Sequence, residues 1–130
     1  MSNYHSRRFV TLVDDAKVRI EEITPRKVNK KLNSSSNNFM LLDVREQDEW
    51  NSSRIPGADY LGKGIIERDI ESKCPNIDQE IVLYCRDGYR SILAADNLHR
   101  MGYSNVKSMA GGFRSWVEAG LPIKEGNNQS

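Results

Sequence analysis

Cys85 starts a short segment whose residue types could support sulfur chemistry. This segment spans residues 85–90, follows an apolar run, and leads into a stretch with helical spacing. Backbone N–H groups that turn inward at a helix N-terminus form an anion site, and a cysteine at the loop start places its sulfur there. The thiolate is then favoured over the thiol, so the sulfur is a nucleophile without a histidine base. The alternative is a buried, unreactive cysteine at a strand end.

The other residues of this loop are the candidate substrate-binding groups. Arg90 brings a positive charge to the helix start, and Arg86 can add a second one. Gly88 can adopt the positive φ that a tight loop often needs. Tyr89 occupies the fifth loop position, where its ring could shape the mouth of a pocket. Asp87 opposes an anionic ligand and partly offsets the two arginines.

The elements that must position this loop are short apolar runs, typical of strands buried on both faces of a parallel sheet. Residues 39–42 form one run and end in Asp43, and residues 81–84 form another and end in Cys85. Residues 106–109 are a third candidate strand. Ligands of such sheets bind beyond the carboxyl ends of the strands, so Asp43 and Cys85 are predicted to lie at the ligand-binding edge.

Helical stretches alternate with these strands, which predicts an α/β fold. One stretch begins at Pro25 behind a Thr24 N-cap. The others cover residues 46–50, 65–72, 91–101 and 113–117. Gly102 is typical of the position just past a helix end. We therefore expect a parallel sheet with helices on both faces.

The chain of 130 residues is long enough for one domain. Residues 1–22 are predicted to form an N-terminal extension with one amphipathic helix, which packs on the core by a single apolar stripe. That stripe consists of Phe9, Leu12, Val13, Ala16 and Ile20. Residues 23–124 are expected to form the main domain, and the polar residues 125–130 to be a disordered tail.

Composition and charge exclude several classes of function. Lys+Arg is 19 and Asp+Glu is 18, and a net charge of +1 argues against nucleic-acid binding and against a polybasic membrane anchor. No apolar run approaches the ~20 residues of a membrane span, and the N-terminus has no apolar block typical of a secretory signal. The two cysteines and two histidines have spacings that predict neither a disulfide framework nor a zinc site. We expect a soluble, cytoplasmic protein without a metal, with a monomer favoured.

Five short motifs in this order resemble those of single-domain rhodaneses, which are sulfurtransferases. They are LLDVR at 41–45, IPGA at 55–58, CRDGYR at 85–90, MAGGF at 109–113 with Trp116, and AGLP at 119–122. Each motif is weak by itself, but all five at the family's spacing make a specific signal. The resemblance extends from about Ile23 to Lys124, which is most of the chain.

The resemblance implies a fold and a reaction. The fold would be an open sheet of about five parallel strands with helices on both faces. The loop cysteine, here Cys85, would carry a persulfide. It would take sulfur from thiosulfate or another sulfane donor and pass it to cyanide or a thiol. Neither a metal nor an organic cofactor is implied.

Two positions depart from the family pattern. Ser53-Arg54 stands where the family usually has Gly-His before Ile-Pro-Gly-Ala, so Arg54 is expected either at the rim of the pocket or facing solvent. The second departure is Asp87 inside the loop. A carboxylate there disfavours thiosulfate and favours a protein persulfide or a thiol-linked sulfur as the donor.

Four further residues have both a functional and a structural interpretation. Asp43 and Arg45 could support the loop and line the pocket, or they could cap a turn and form a surface salt bridge. Cys74 could be a resolving thiol for Cys85, but the sequence favours an incidental surface thiol. His99 is expected on a helix surface without a catalytic role.

Two other functions compete with sulfur transfer. Phosphatases related to rhodaneses close a longer loop, with five residues between the cysteine and the arginine. Here four residues separate Cys85 from Arg90, which makes a smaller cradle and favours sulfur. An arsenate reductase remains an alternative, as does a non-enzymatic interaction module, although the presence of Cys85 disfavours the module.

Overall fold

A computed structural model describes residues 5–35 and 38–126. The helices are α1 (Arg7–Lys17), α2 (Pro25–Leu32), α3 (Gln47–Ser52), α4 (Ile66–Lys73), α5 (Tyr89–Arg100) and α6 (Gly112–Glu118), with a 3₁₀ turn over Lys63–Ile65. The strands are β1 (Glu21–Ile23), β2 (Phe39–Asp43), β3 (Ser53–Arg54), β4 (Asp59–Tyr60), β5 (Glu80–Tyr84), β6 (Val106–Met109) and β7 (Lys124–Glu125). Residues 36 and 37 of the connector before β2 lie outside the described residues.

The main sheet has five strands in the order β1-β6-β5-β2-β4. Every pair in it is parallel, which confirms the α/β fold expected from the sequence. Asp43 pairs with Tyr84 in the register of β2 and β5. The residues that follow these two strands therefore leave the sheet at the same edge, as predicted for a ligand-binding edge.

Helices cover both faces of the sheet. The side chains of β5 alternate between these faces and pack into two apolar clusters. Ile81 and Leu83 belong to the cluster that α4 and α5 cover. Val82 and Tyr84 belong to the cluster on the opposite face, which includes residues of α2 and α6. This strand is buried on both sides, which is why its sequence is a continuous apolar run.

The N-terminal helix packs along α5. The Ser6 side chain caps α1 by accepting a hydrogen bond from the Phe9 backbone N–H. Val13 and Ala16 are buried against Ile92 of α5, so the helix does contact the core by an apolar stripe. Leu12, which the sequence placed on that stripe, is instead 56% exposed. The boundary drawn at residue 22 does not match the structure, because β1 starts at residue 21 and pairs with β6. Residues 1–4 lie outside the described residues.

The prediction of a disordered tail from residue 125 is wrong at its start. Lys124 and Glu125 form β7, which pairs antiparallel with β3. The Gly126 backbone N–H donates to the carbonyl of Ser52 at 3.0 Å. These main-chain hydrogen bonds order a segment whose composition is polar. Residues 127–130 lie outside the described residues.

Within the described residues, no helix is long and apolar enough to cross a membrane. The same residues contain no cluster of three or more His, Cys, Asp or Glu side chains that could hold a metal ion.

Candidate active site

Cys85 lies directly after β5, and its sulfur is enclosed by hydrogen-bond donors. The residue is 1% exposed. Its Sγ accepts hydrogen bonds from the backbone N–H of Gly88 at 3.2 Å and of Ser91 at 3.3 Å. The Ser91 hydroxyl lies 3.4 Å from the sulfur and 2.8 Å from the Ser108 hydroxyl. Two amide groups and a hydroxyl at the start of α5 thus surround the sulfur, an arrangement that can stabilise a negative charge on it.

The loop backbone depends on glycine at two places. Gly88 has φ 92° and precedes the first residue of α5, which confirms the positive φ expected there. Gly112 has φ 61° and touches the loop from α6. A Cβ on Gly112 would lie 2.5 Å from the carbonyl oxygen of Cys85 and 2.6 Å from that of Arg86. No side chain larger than hydrogen fits between α6 and the loop.

The first turn of α6 holds this loop through its backbone. The Phe113 N–H donates to the carbonyl of Cys85 at 2.7 Å. The Arg114 N–H donates to the carbonyl of Arg86 at 2.9 Å. The sequence motif at 109–113 was noted only as part of the family resemblance, and its contact with the loop became visible only in the tertiary structure.

A cleft of about 350 Å³ opens over the sulfur. Its lining consists of His5, Phe9, Glu49, Cys85, Arg86, Asp87, Tyr89, Arg90 and Arg114. Five of the predicted loop residues, Gly88 excepted, therefore face one space. The other four residues come from the N-terminal segment, α3 and α6, and the sequence had not indicated them as site residues.

Arg90 points towards Glu49 of α3. Its Nη1 donates to Oε1 at 3.1 Å, and its Nη2 donates to Oε2 at 3.3 Å. Burial alone would lower the pKa of Arg90, but the hydrogen bonds to Glu49 and the nearby Cys85 sulfur raise it. Burial would likewise raise the pKa of Glu49, but hydrogen bonds from Arg90 and the Glu46 backbone lower it. The positive charge predicted at the helix start is thus largely neutralised by a carboxylate.

Asp87 is also paired, but with residues outside the loop. Its Oδ1 lies 3.1 Å from Nε of Arg114, in ion-pair contact without hydrogen-bond alignment. Its Oδ2 lies 3.7 Å from Nε2 of His5. The partner that offsets Asp87 is therefore Arg114 rather than the loop arginines. Among the described residues, no carboxylate lies within ion-pair distance of Arg86, which is exposed at the cleft.

Tyr89 lies at the cleft, as the sequence suggested. Its ring centroid is 4.6 Å from that of His5 and 6.0 Å from that of Phe9. His5 and Phe9 are themselves 5.1 Å apart. The sequence predicted only that the N-terminal extension packs on the main domain, yet two of its side chains form part of the cleft. The apolar periodicity of α1 placed Phe9 on a buried face, but no local pattern indicated which part of the core it would contact.

Asp43 and Arg45 form a buried pair beside the loop and do not line the cleft. The Arg45 guanidinium donates from Nε and Nη2 to the Asp43 carboxylate at 2.7–3.0 Å, and Nη2 also donates to the carbonyl of Ser53. Burial would lower the pKa of Arg45, but the hydrogen bonds and the charge of Asp43 raise it. The guanidinium lies 4.4 Å from the Phe113 ring centroid. The pair thus contacts a residue that holds the loop. Asp43 also caps a turn, as one interpretation expected, by accepting a hydrogen bond from the Arg45 backbone N–H at 3.0 Å. The salt bridge is buried and not on the surface as expected.

Two other sequence interpretations are corrected. Cys74 was expected on the surface but is 3% exposed, and burial raises the pKa of its thiol. Arg54 lies neither at the rim of the cleft nor in solvent: it is 6% exposed and donates to the carbonyls of Trp50 and Gly126. His99 is exposed on α5, as expected.

The comparisons with known proteins agree with this fold. A family model of the rhodanese-like domain matches residues 24–119. The chain therefore belongs to the rhodanese-like family. The match leaves out the residues of α1, which also precede the motifs recognised in the sequence.

Similar proteins include sulfurtransferases. The chain is 33% identical over 104 residues to a sulfurtransferase of Allochromatium vinosum, covering 80% of this chain and 94% of the relative. It is 33% identical over 103 residues to the thiosulfate sulfurtransferase GlpE of Actinobacillus succinogenes, covering 79% and 89%. A solved structure from Rhodopseudomonas palustris, of unknown function and described as a possible tyrosine phosphatase, matches with a TM-score of 0.77 at 28% identity. That match covers 95% of this chain and 99% of the other.

Proposed function

We propose that the protein is a sulfurtransferase in which Cys85 carries sulfane sulfur as a persulfide. The observation that supports this most is the enclosure of the Cys85 sulfur by the N–H groups of Gly88 and Ser91. These donors favour a thiolate before transfer and can stabilise an anionic persulfide afterwards. A structural thiol would need no such arrangement at the floor of an open cleft.

The reaction has two displacement steps. The Cys85 thiolate attacks the outer sulfur of a donor persulfide, a new S–S bond forms, and the donor leaves as a thiolate with the electron pair. An acceptor thiolate then attacks the outer sulfur on Cys85, and the Cys85 thiolate leaves. The sulfane sulfur is transferred without net oxidation or reduction. No external acid or base is required if donor and acceptor react as anions.

The charges around the cleft favour a persulfide over thiosulfate as the donor. Three arginines face two carboxylates in the lining, so one net positive charge remains when His5 is neutral. The thiolate of Cys85 balances that charge. Thiosulfate would add two negative charges to a neutral site, whereas a persulfide adds one.

A reducing compartment such as the cytoplasm would keep the Cys85 thiol and the acceptor thiol reduced and available for transfer.

A phosphatase is the second candidate, because one structural relative is described as a possible tyrosine phosphatase. Such an enzyme needs an arginine that binds the phosphate oxygens. In this chain both terminal nitrogens of Arg90 donate to Glu49 instead. The shorter spacing between Cys85 and Arg90 also limits the cradle. Both observations favour sulfur over phosphate or arsenate.

The test is intact mass spectrometry after incubation with a low-molecular-weight thiol persulfide, and separately with thiosulfate. We expect the wild type to gain one sulfur atom and to lose it after addition of cyanide. Cys85→Ser should gain none, and Cys74→Ser serves as the matched control that should still be loaded. Hydrolysis of p-nitrophenyl phosphate without sulfur uptake would favour the phosphatase. Absence of both activities would favour an interaction module.

A further inference from the structure

The N-terminal segment contributes one wall of the cleft over Cys85. His5 and Phe9 lie on this wall together with Tyr89 of the loop, and their three ring centroids are 4.6–6.0 Å apart. All three residues are only partly buried, so their rings present apolar surface to the cleft. The rest of the lining is charged and includes the paired Arg90 and Glu49 and the Asp87 carboxylate, whose Oδ2 lies 3.7 Å from Nε2 of His5. The cleft therefore combines three aromatic rings with charged side chains.

This wall is held in place by contacts along α5. Val13 and Ala16 pack on Ile92, and the Arg19 guanidinium donates to both carboxylate oxygens of Asp96 at 2.9 and 2.8 Å. Ile92 and Asp96 lie on α5, and the backbone N–H groups that contact the Cys85 sulfur lie at the start of the same helix. The segment is thus positioned by the same element as the nucleophile, so its aromatic side chains have a defined place relative to the sulfur.

We propose that His5 and Phe9 are specificity-determining residues that favour donors whose sulfane sulfur is attached to an apolar or aromatic group. The proposal rests on the sulfurtransferase function and names the class of donor for the same site. The donor's outer sulfur reaches Cys85, its organic group packs on the three rings, and its single negative charge lies near Arg86. Thiosulfate has no organic group and would gain nothing from the aromatic wall.

Benzenethiosulfonate is a suitable probe, because it combines a phenyl group with one negative charge. The Cys85 thiolate attacks its terminal sulfur, and the bond between that sulfur and the sulfonyl sulfur breaks. Benzenesulfinate leaves with the electron pair. Thiosulfate reacts in the same way and releases sulfite, so the two donors differ mainly in the group beside the transferred sulfur and in one unit of charge.

The experiment compares the rates at which Cys85 is loaded by the two donors in single-turnover reactions followed by mass spectrometry. His5→Ala and Phe9→Ala should each lower the ratio of benzenethiosulfonate rate to thiosulfate rate by about fivefold, as expected for one lost aromatic contact. Leu12→Ala is the matched control, since Leu12 lies on the same helix, is 56% exposed and does not line the cleft. Its ratio should match that of the wild type. Phe9→Ala could loosen α1 and change the ratio for that reason alone. His5 precedes α1, so His5→Ala tests the aromatic contact without altering a residue of the helix.

A second readout does not depend on sulfur transfer. The rate of Cys85 alkylation by N-benzyliodoacetamide, relative to iodoacetamide, should fall in both cleft variants and stay constant in Leu12→Ala. Sulfur uptake with an unchanged donor ratio in both cleft variants would overturn the proposal while leaving the sulfurtransferase function intact. Failure of the wild type to take sulfur from these two donors and also from the low-molecular-weight persulfide would overturn the function, and with it the named donor class. Loading by the persulfide alone, with no loading by benzenethiosulfonate, would overturn only the named donor class. The alkylation ratio would then still report whether the aromatic wall selects ligands.

Discussion

Replacement of Gly112 by alanine should damage the active loop far more than its small size suggests. The added Cβ would lie 2.5 Å from the Cys85 carbonyl oxygen, whereas ordinary contacts begin near 3.4 Å. Backbone must therefore move by about 0.9 Å. Both neighbours are main-chain atoms of the loop, so no flexible side chain can absorb the shift.

The magnitude has a conformational part and a contact part. A non-glycine residue in the left-handed region costs about 1 kcal/mol. The displacement also disturbs the two hydrogen bonds from Phe113 and Arg114 to the loop carbonyls, each contributing about 1 kcal/mol. We expect a loss of about 3 kcal/mol in the free energy of unfolding. A shift of about 1 Å at the sulfur site should lower the rate of persulfide formation by about a hundredfold.

Gly120→Ala is the matched control, because Gly120 has φ 72° but a Cβ there would meet nothing within 4 Å. This variant should lose about 1 kcal/mol and keep the wild-type rate. Urea unfolding measures the first quantity, and mass-detected loading of Cys85 by a low-molecular-weight persulfide measures the second. A folded Gly112→Ala protein that is loaded at the wild-type rate would refute the inference that α6 sets the loop geometry.

Three further predictions follow from the charges and burial around the site. Asp87→Asn leaves the positive charge of Arg114 uncompensated, so thiosulfate should load Cys85 about fivefold faster. Steady-state kinetics would detect this change. An unchanged rate would contradict the inference that Asp87 disfavours anionic donors. Cys74→Ala should leave sulfur loading unchanged but lower the unfolding free energy by about 1 kcal/mol, because this thiol is buried. A large loss of loading would show that Cys74 takes part in sulfur transfer. The hydrogen bonds from Arg19 lower the pKa of Asp96, so their stabilisation is complete above the ordinary Asp pKa and is lost as the pH falls through the folded value. Wild type and Asp96→Asn should therefore differ in unfolding free energy near neutral pH and converge at acidic pH, below the lowered pKa of Asp96. A difference independent of pH would refute this assignment.

Much of the fold was readable from local patterns. The runs at 39–42 and 81–84 are continuous and apolar because both faces of their strands are covered. They predicted the central strand β5 and its neighbour β2. The change from these runs to helical spacing placed Cys85 at a strand exit and at a helix start. Gly88 marked the tight turn before α5, where the backbone has φ 92°. Each of these inferences uses residues close together in the chain.

The pairing of charges and the composition of the cleft depended on tertiary structure. Arg90 and Glu49 are 41 positions apart, and no local pattern joins them. The burial of Cys74 and Arg54 likewise depends on elements that approach from elsewhere in the chain.

The N-terminal helix shows most clearly which features follow from local sequence and which depend on tertiary contacts. Its apolar periodicity predicted an amphipathic helix, which requires only neighbouring residues. Its docking along α5, which brings His5 and Phe9 to the cleft, depends on contacts with Ile92 and Asp96 that are distant in sequence. Periodicity determines which side of a helix is buried, but the surface that buries it is decided by packing of the whole chain.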